Sequence, residues 1–186
     1  EYRRQRQMCI RDSLATMWLE RREAGKGRNE QRRQILFGIG VIAFFASIPY
    51  FYDGMVSGAD LTYHLHRIEG VKDGLLTGQF PVRLEPRWVF DHGYANGIFY
   101  CNLLLYFPAL LRMAGFTMTE SYAFYCIGLN IATAAIAWYC FSGIFKDRII
   151  GLVCSALYTL SIFRFFKLVM VGAVGEAVSY THLTLP

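Results

Sequence analysis

The stretch ILFGIGVIAFFASIPYFY, residues 35–52, contains eighteen residues and no charged side chain. An α-helix of that length rises about 27 Å, close to the roughly 30 Å of hydrocarbon in a bilayer. Its last residues, Tyr50, Phe51 and Tyr52, are aromatic, as is common where a helix meets the membrane interface. The stretch therefore predicts a first transmembrane helix, and with it an integral membrane protein rather than a soluble domain.

The positive charge of the chain lies on the N-terminal side of this span. Residues 1–34 hold ten Lys or Arg and five Asp or Glu, a net of +5 that equals the balance of the whole chain. Short cytoplasmic flanks of spans are enriched in basic residues, so residues 14–34 are interpreted as a cytoplasmic basic arm. A nucleic-acid-binding arm is the alternative. Because the arm adjoins a span and the chain contains no recognisable nucleic-acid module, we expect no nucleic-acid partner.

The segment after the span differs in charge and in pattern. Residues 53–97 hold four basic and six acidic residues, a net of −2, and they fall outside the membrane if the N-terminus is inside. Apolar residues recur there at steps of three, four or seven, which predicts an amphipathic helix over 61–77 lying on the membrane surface. Asp60 precedes this helix, and His64 and Arg67 lie on the stripe that borders its apolar face.

Two further hydrophobic runs predict transmembrane helices at residues 122–143 and 149–170. The short loop between them, residues 144–148, carries Lys146 and Arg148. Basic residues in short loops favour the cytoplasmic side, so we expect this loop to lie inside.

The stretch 99–115 is too short and too interrupted to predict a span. Only residues 103–111 are continuously apolar, and a proline falls among them. A crossing here would also place the 144–148 loop outside, against the positive-inside tendency. We therefore expect an interfacial or re-entrant helix within one large outer loop, residues 53–121, and a further outer segment at residues 171–177. The predicted fold is all-α, an integral membrane helical bundle with about three transmembrane helices.

Both ends of the chain have an unusual sequence. Residues 7–13 (QMCIRDS) and 178–186 (VSYTHLTLP) resemble translated sequencing-adapter tails. We expect residues 1–13 and 178–186 to be artefactual, like an expression tag. The natural protein is then expected to continue past about residue 177, and the chain to be a fragment.

Two basic residues, Arg164 and Lys167, interrupt the end of the last predicted span. Long basic side chains at helix ends often snorkel to the interface. Ionisable residues at membrane depth also tend to be functional, and here they could form a cationic seat for an anionic head group. The sequence leaves both interpretations open.

Asp60 also has two interpretations. An Asp before a helical run is often the N-cap, and an exposed carboxylate can act as a general base. His64 and His66 diverge by about 200° on a helix, so they do not predict a shared metal. Asp60 and His64, four residues apart, could share one, although two ligands do not define a metal site.

The chain contains four short motifs of note: GADLTYHLHRI at residues 58–68, GQFPVR at 78–83, GYANG at 93–97 and AVGE at 173–176. These motifs, together with the order of arm, span and outer loop, resemble the N-terminal part of GT-C glycosyltransferases. The closest likeness is to bacterial integral membrane proteins of this type that have no characterised activity. The resemblance covers about residues 35–177.

The resemblance implies a multi-pass membrane enzyme that takes a sugar from a polyprenyl-phosphate donor. Asp60 matches the first-loop acidic residue that acts as a base toward the acceptor or helps to bind a metal. Glu176 matches a later acidic position, where many members have Asp. Arg164 and Lys167 fall where a lipid phosphate could be held, and His64 and Arg67 lie beside Asp60 as further substrate-binding candidates.

The resemblance also implies a location and partners. It predicts a bacterial cell membrane, membrane lipid, the lipid-linked donor, and an extracytoplasmic glycan or protein acceptor. The resemblance does not decide whether a divalent metal, Mg²⁺ or Mn²⁺, is a cofactor. The alternative is a non-enzymatic multi-pass protein, either a transporter half or a scaffold subunit, and a transporter predicts charged residues or broken helices near mid-membrane.

Overall fold

The computed structural model describes residues 29–51, 58 and 60–174. Within them the chain is all-helical, and the single antiparallel bridge joins Glu85 to Tyr94. The helices are α1 (Asn29–Phe51), α2 (Leu61–Leu76), α3 (Leu103–Met113), α4 (Met118–Phe145), α5 (Arg148–Thr159) and α6 (Ile162–Val171), with single turns at Trp88–Asp91 and Asn96–Phe99. The chain divides into two compact units, Glu1–Gly38 and Ile39–Pro186, and every contact described below lies within the second.

Two of these helices, α1 with 23 residues and α4 with 28, are long and apolar enough to cross a membrane. The described part of α1 begins at Asn29, before the predicted start at residue 35, so it includes charged residues of the basic arm. The helix α3 spans three residues of 3₁₀ and eight of α-helix, so it rises only about 18 Å. That is roughly half of a hydrocarbon core, so α3 is too short to cross as it stands.

The third predicted span, residues 149–170, is wrong as a single helix. The chain bends by 44° between α5 and α6, so the pair is a third candidate span only if the two helices count together. Ser161 is extended, with ψ 138°, which interrupts the helix. The Arg164 Nη1 donates to the Thr159 carbonyl at 3.4 Å, which satisfies a backbone acceptor beside the break. Such a break is tolerated in a span where protein groups satisfy the freed backbone.

The bounds of α4 follow from its caps, which hydropathy alone did not reveal. Thr117 Oγ1 accepts from the Glu120 N–H at 3.2 Å, and the Glu120 carboxylate accepts from the Thr117 N–H at 2.8 Å. This capping box starts the helix at Met118, four residues before the predicted start. Lys146 ends it in a left-handed conformation with φ 54°.

The helices α4 and α5 form a tight antiparallel hairpin. Asp147 caps α5 by accepting from the Ile149 N–H at 2.7 Å, so a new helix starts with only two residues between it and the end of α4. A Cβ at Gly151 would lie 2.8 Å from the Cα of Ser142, so only glycine permits this approach. Ser155 Oγ donates to the Ala134 carbonyl at 2.8 Å and joins the two helices deeper in the hairpin.

The connection between α1 and α4, residues 52–117, is built around α2. This helix ends one residue before the predicted 61–77, at Leu76. Ile68 and Val71 of α2, Leu105 and Ala109 of α3, and Val82 share one buried apolar core, which also includes Tyr125 of α4. Burial extends around α2, because Arg67 and Glu69 are also buried. The surface helix expected from the sequence is therefore enclosed on more than one side, since α3 and the loop at Glu85 pack against it.

A labelling experiment tests the expected topology. With every native cysteine replaced by serine, Thr77→Cys in the α1–α4 connection and Lys146→Cys between α4 and α5 should react with a membrane-impermeant maleimide from opposite sides. Only α4 lies between the two positions if α3 does not cross. Labelling of both from the same side would show that α3 also crosses.

Candidate functional site

Asp60 lies where the start of α2 meets the end of α6. The Asp60 N–H donates to the Val171 carbonyl at 3.0 Å. Two glycines permit this approach: a Cβ at Gly58 would lie 2.5 Å from the Val171 carbonyl oxygen, and Gly172 has φ 74° and touches Leu61. Residues more than a hundred positions apart in the chain therefore hold the backbone at Asp60.

The side chain of Asp60 is exposed and makes no capping hydrogen bond to α2. The two interpretations of Asp60 are therefore separated by geometry, because a cap must accept from an N–H of the first turn. Its carboxylate faces the surroundings at a position that the backbone fixes, which leaves it available to a ligand.

His64 follows one turn after Asp60 and is half-buried. Its Nδ1 is enclosed and has no hydrogen-bond partner. Burial lowers the pKa of His64 below its usual 6.5, the positive charge of Arg67 lowers it further, and Asp60 acts in the opposite direction. The imidazole is therefore neutral at neutral pH and can accept or donate one proton beside Asp60.

Arg67, the third candidate on α2, points into the protein. Its Nη2 donates to Asn102 Oδ1 at 2.5 Å, and the guanidinium lies 5.3 Å from the ring centre of Tyr100 and 5.7 Å from that of Tyr63. Only 5% of its surface is exposed, so its guanidinium is enclosed by protein groups.

The partner of that cation is Glu85, which no sequence pattern singles out. Its carboxylate is fully buried and lies 4.0 Å from Arg67 Nε. It accepts from Trp88 Nε1 at 2.6 Å, from Asn96 Nδ2 at 3.3 Å and from Asn102 Nδ2 at 3.3 Å. We name these five residues, Arg67, Glu85, Trp88, Asn96 and Asn102, the Glu85 cluster.

Burial raises the pKa of Glu85 above its usual range, and the hydrogen bonds of the cluster and the charge of Arg67 oppose that rise. Gly70 makes room for the side chain, since a Cβ there would lie 2.9 Å from Glu85 Cβ. No periodicity predicts this residue, because it lies in an irregular loop. The signal in the sequence was the short GYANG motif, which supplies Asn96.

Arg164 lies between helices and does not snorkel to a surface. Its Nη1 donates to Asn130 Oδ1 at 2.8 Å and its Nη2 to Thr133 Oγ1 at 3.0 Å, both on α4. Asn130 Nδ2 in turn donates to the Ala46 carbonyl of α1 at 3.1 Å. Arg164 therefore connects α6 to α4 and, through Asn130, to α1.

Lys167 lies one turn after Arg164 and is half-buried, with its Nζ 5.9 Å from the ring centre of Phe163. Glu176, the second acidic candidate, lies outside the described residues. In the described part of the chain, the structure brings Asp60 and His64 together at the end of α6. Arg67 does not join them, because its guanidinium contacts other residues of the Glu85 cluster.

The described residues do not form a metal site. Nowhere among residues 29–51, 58 and 60–174 do three His, Cys, Asp or Glu side chains group as ligands would. Asp60 and His64 are two donors without a third, so these residues do not by themselves fit Mg²⁺ or Mn²⁺, which take octahedral sets of oxygen ligands.

Comparison of the sequence with protein-family models, curated proteins and solved structures found no match. What the chain does is therefore inferred from its own residues.

The Glu85 cluster makes a prediction about stability. Replacing Glu85 by Gln removes the only carboxylate of the cluster and leaves the buried Arg67 without its counter-charge. We expect a loss of about 3 kcal/mol of unfolding free energy, as is usual when one partner of a buried pair is removed. The measurement is denaturant unfolding in detergent. Asp91→Asn, the same change at an exposed residue of the same loop, is the control and should stay within about 0.5 kcal/mol of the parent.

The pKa of His64 makes a second prediction. Because the folded-state pKa lies below 6.5, the unfolded chain takes up a proton first as the pH falls through that value, and the folded state loses stability below it. The thermal midpoint should therefore fall more in the parent than in His64→Gln between about pH 7.5 and about pH 5.5. Between about pH 7.5 and about pH 8.5 the two proteins should change in parallel. An equal fall on acidification would contradict a lowered pKa.

Proposed function

We propose that this chain belongs to a membrane glycosyltransferase that moves a sugar from a polyprenyl-phosphate donor to an extracytoplasmic acceptor. The observation that carries the proposal is the exposed, uncapped Asp60 carboxylate, which the backbone holds against the end of α6. The motif around Asp60 is also the one in which the resemblance to GT-C enzymes is longest.

The chemistry of sugar transfer requires a base and a stabiliser of the leaving group. Asp60 takes the proton of the acceptor hydroxyl, whose oxygen then forms a bond to the anomeric carbon. The bond from that carbon to the phosphate oxygen breaks, and the polyprenyl phosphate leaves with its negative charge. The neutral His64 beside Asp60 can bind the acceptor through a hydrogen bond. Because it carries no positive charge, it does not attract the negative charge of the leaving phosphate.

Lys167, which lies near the end of α6, is a candidate for holding the leaving phosphate. A cation near the departing phosphate lowers the barrier by stabilising the developing charge. Val171, which accepts the Asp60 N–H, follows Lys167 by four residues on α6. Arg164 is engaged by Asn130 and Thr133, so its role in the proposal is to hold α6 in place. Glu176 follows five residues after Val171 and is retained as a second acidic group from the resemblance alone.

The alternative, a non-enzymatic transporter half, is favoured by a different observation. The pair α5 and α6 is a broken apolar helix, and Arg164 and Asn130 are buried beside the break. Transporters bind substrates at discontinuous helices near mid-membrane. Uptake of a solute by vesicles containing the protein, without any transfer product, would favour this second function.

The test is sugar transfer by the purified protein. With a polyprenyl-phosphate-linked sugar as donor, Asp60→Asn should reduce turnover by about 10²–10⁴-fold, the usual contribution of a general base. The control is Asp91→Asn, which makes the same chemical change at another exposed acid of the α1–α4 connection and should retain activity. Equal activity of Asp60→Asn and the parent would refute the role of Asp60 as the base.

A further inference from the structure

The helix α3 has two apolar faces, and only one of them is covered by protein. Its inner face places Leu105 and Ala109 in the buried core that it shares with α2. On the opposite face, Leu103, Phe107 and Leu110 are 71%, 51% and 56% exposed. The spacings of four and three residues put these three side chains on one side of the helix. The outer face of α3 is therefore an apolar stripe without a protein partner among the described residues.

The single charge of α3 is directed away from this stripe. Arg112 lies on the flank of the helix, where its Nε donates to Glu69 Oε1 at 2.5 Å and its Nη1 to the Phe116 carbonyl. Glu69 also accepts from Lys72 Nζ at 2.6 Å, so the charges of this region pair with one another beside α2. Basic groups satisfied in this way leave the outer face of α3 without an ionic group.

The stripe is continuous with a helix that is long and apolar enough to cross a membrane. Only residues 114–117 separate α3 from α4. Within that connection, Phe116 packs its ring edge-on against Phe124 of α4, with the ring centres 5.7 Å apart, and both rings are partly exposed. The exposed apolar surface of α4 therefore extends across the connection toward α3.

We propose that α3 lies in the plane of the membrane interface, with Leu103, Phe107 and Leu110 among the acyl chains of the leaflet next to the start of α4. A helix that is too short to cross, with an apolar outer face and an inward-directed charge, has the character of an interfacial helix. Docking α3 in this way holds the α1–α4 connection, and with it Asp60, against the lipid surface. The proposal is independent of sugar transfer, since α3 would hold the α1–α4 connection at the lipid surface whatever activity this connection has.

The occupant that the structure favours is lipid, because α3 leads directly into the apolar helix α4 and the stripe carries no charge. A soluble partner protein or a second copy of the chain would need the same face to be clear of the bilayer. These two occupants are distinguished from lipid by whether a lipid-soluble or a water-soluble reagent can reach the stripe.

The experiment measures the depth of a nitroxide in the whole chain reconstituted in phosphatidylcholine nanodiscs. Native cysteines are replaced by serine, and the label is placed at Phe107→Cys, at Leu110→Cys, or at Thr62→Cys as a control on the exposed side of α2. Collision rates with oxygen, which partitions into lipid, are compared with those of a water-soluble nickel chelate. We expect oxygen to dominate at positions 107 and 110, and the nickel chelate to dominate at 62.

Two results would overturn the proposal. Dominance of the nickel chelate at both 107 and 110 would place the stripe in water. Poor access of both reagents at both positions would show that another protein chain covers it, and the mass of the nanodisc particle would tell a second copy from a monomer. Because the two labelled positions are exposed, a change in the thermal midpoint of one variant identifies misfolding, and the other position then decides the question.

Discussion

A fully buried carboxylate, Glu85, holds together the connection on which the candidate site depends. Burying one charge without partners is costly, and it becomes tolerable when hydrogen-bond donors and an opposite charge replace the lost water. Three side-chain donors, from Trp88, Asn96 and Asn102, and the cation of Arg67 supply this here. Because the donors come from three separate positions along the loop, one carboxylate ties together parts of the loop that are distant from one another in sequence.

A second polar network acts in the same way among the apolar helices. Arg164 of α6 is buried and donates a hydrogen bond to Asn130 of α4. Asn130 in turn donates to the Ala46 carbonyl of α1. Hydrogen bonds between helices are important in a membrane, where lipid competes equally well for apolar contacts. The network positions α6, and the backbone contact from Asp60 to Val171 then positions the start of α2. The location of Asp60 is thus determined by groups that belong to three different helices.

This arrangement relates the two functional interpretations of the chain. A loop that is fixed against a broken helix, and that lies at the lipid surface as we propose, suits an enzyme whose donor is a lipid and whose acceptor is in water. The same buried Arg164 and the same bend would also suit a transport path. Asp60 discriminates between them, because a transport path along α5 and α6 has no need of an exposed carboxylate on α2, whereas transfer to a hydroxyl requires a base.

Hydrophobic runs and their periods depend on residues that are close together in the chain. The sequence by itself therefore determined the all-helical class and the two long apolar helices. It also determined the bounds of α2 to within one residue. It also located Asp60 at the start of that helix. It did not reveal the break at Ser161, since no glycine or proline marks it. Nor did it reveal the burial of Arg67, which lies on the stripe that only borders the apolar face of α2. Glu85 was equally hidden, because its partners are spread along the loop. The backbone contact of Asp60 with Val171 arises from packing between elements that are distant in sequence. Only the tertiary structure decided which charges are buried and paired, since such distant elements are what bury a side chain.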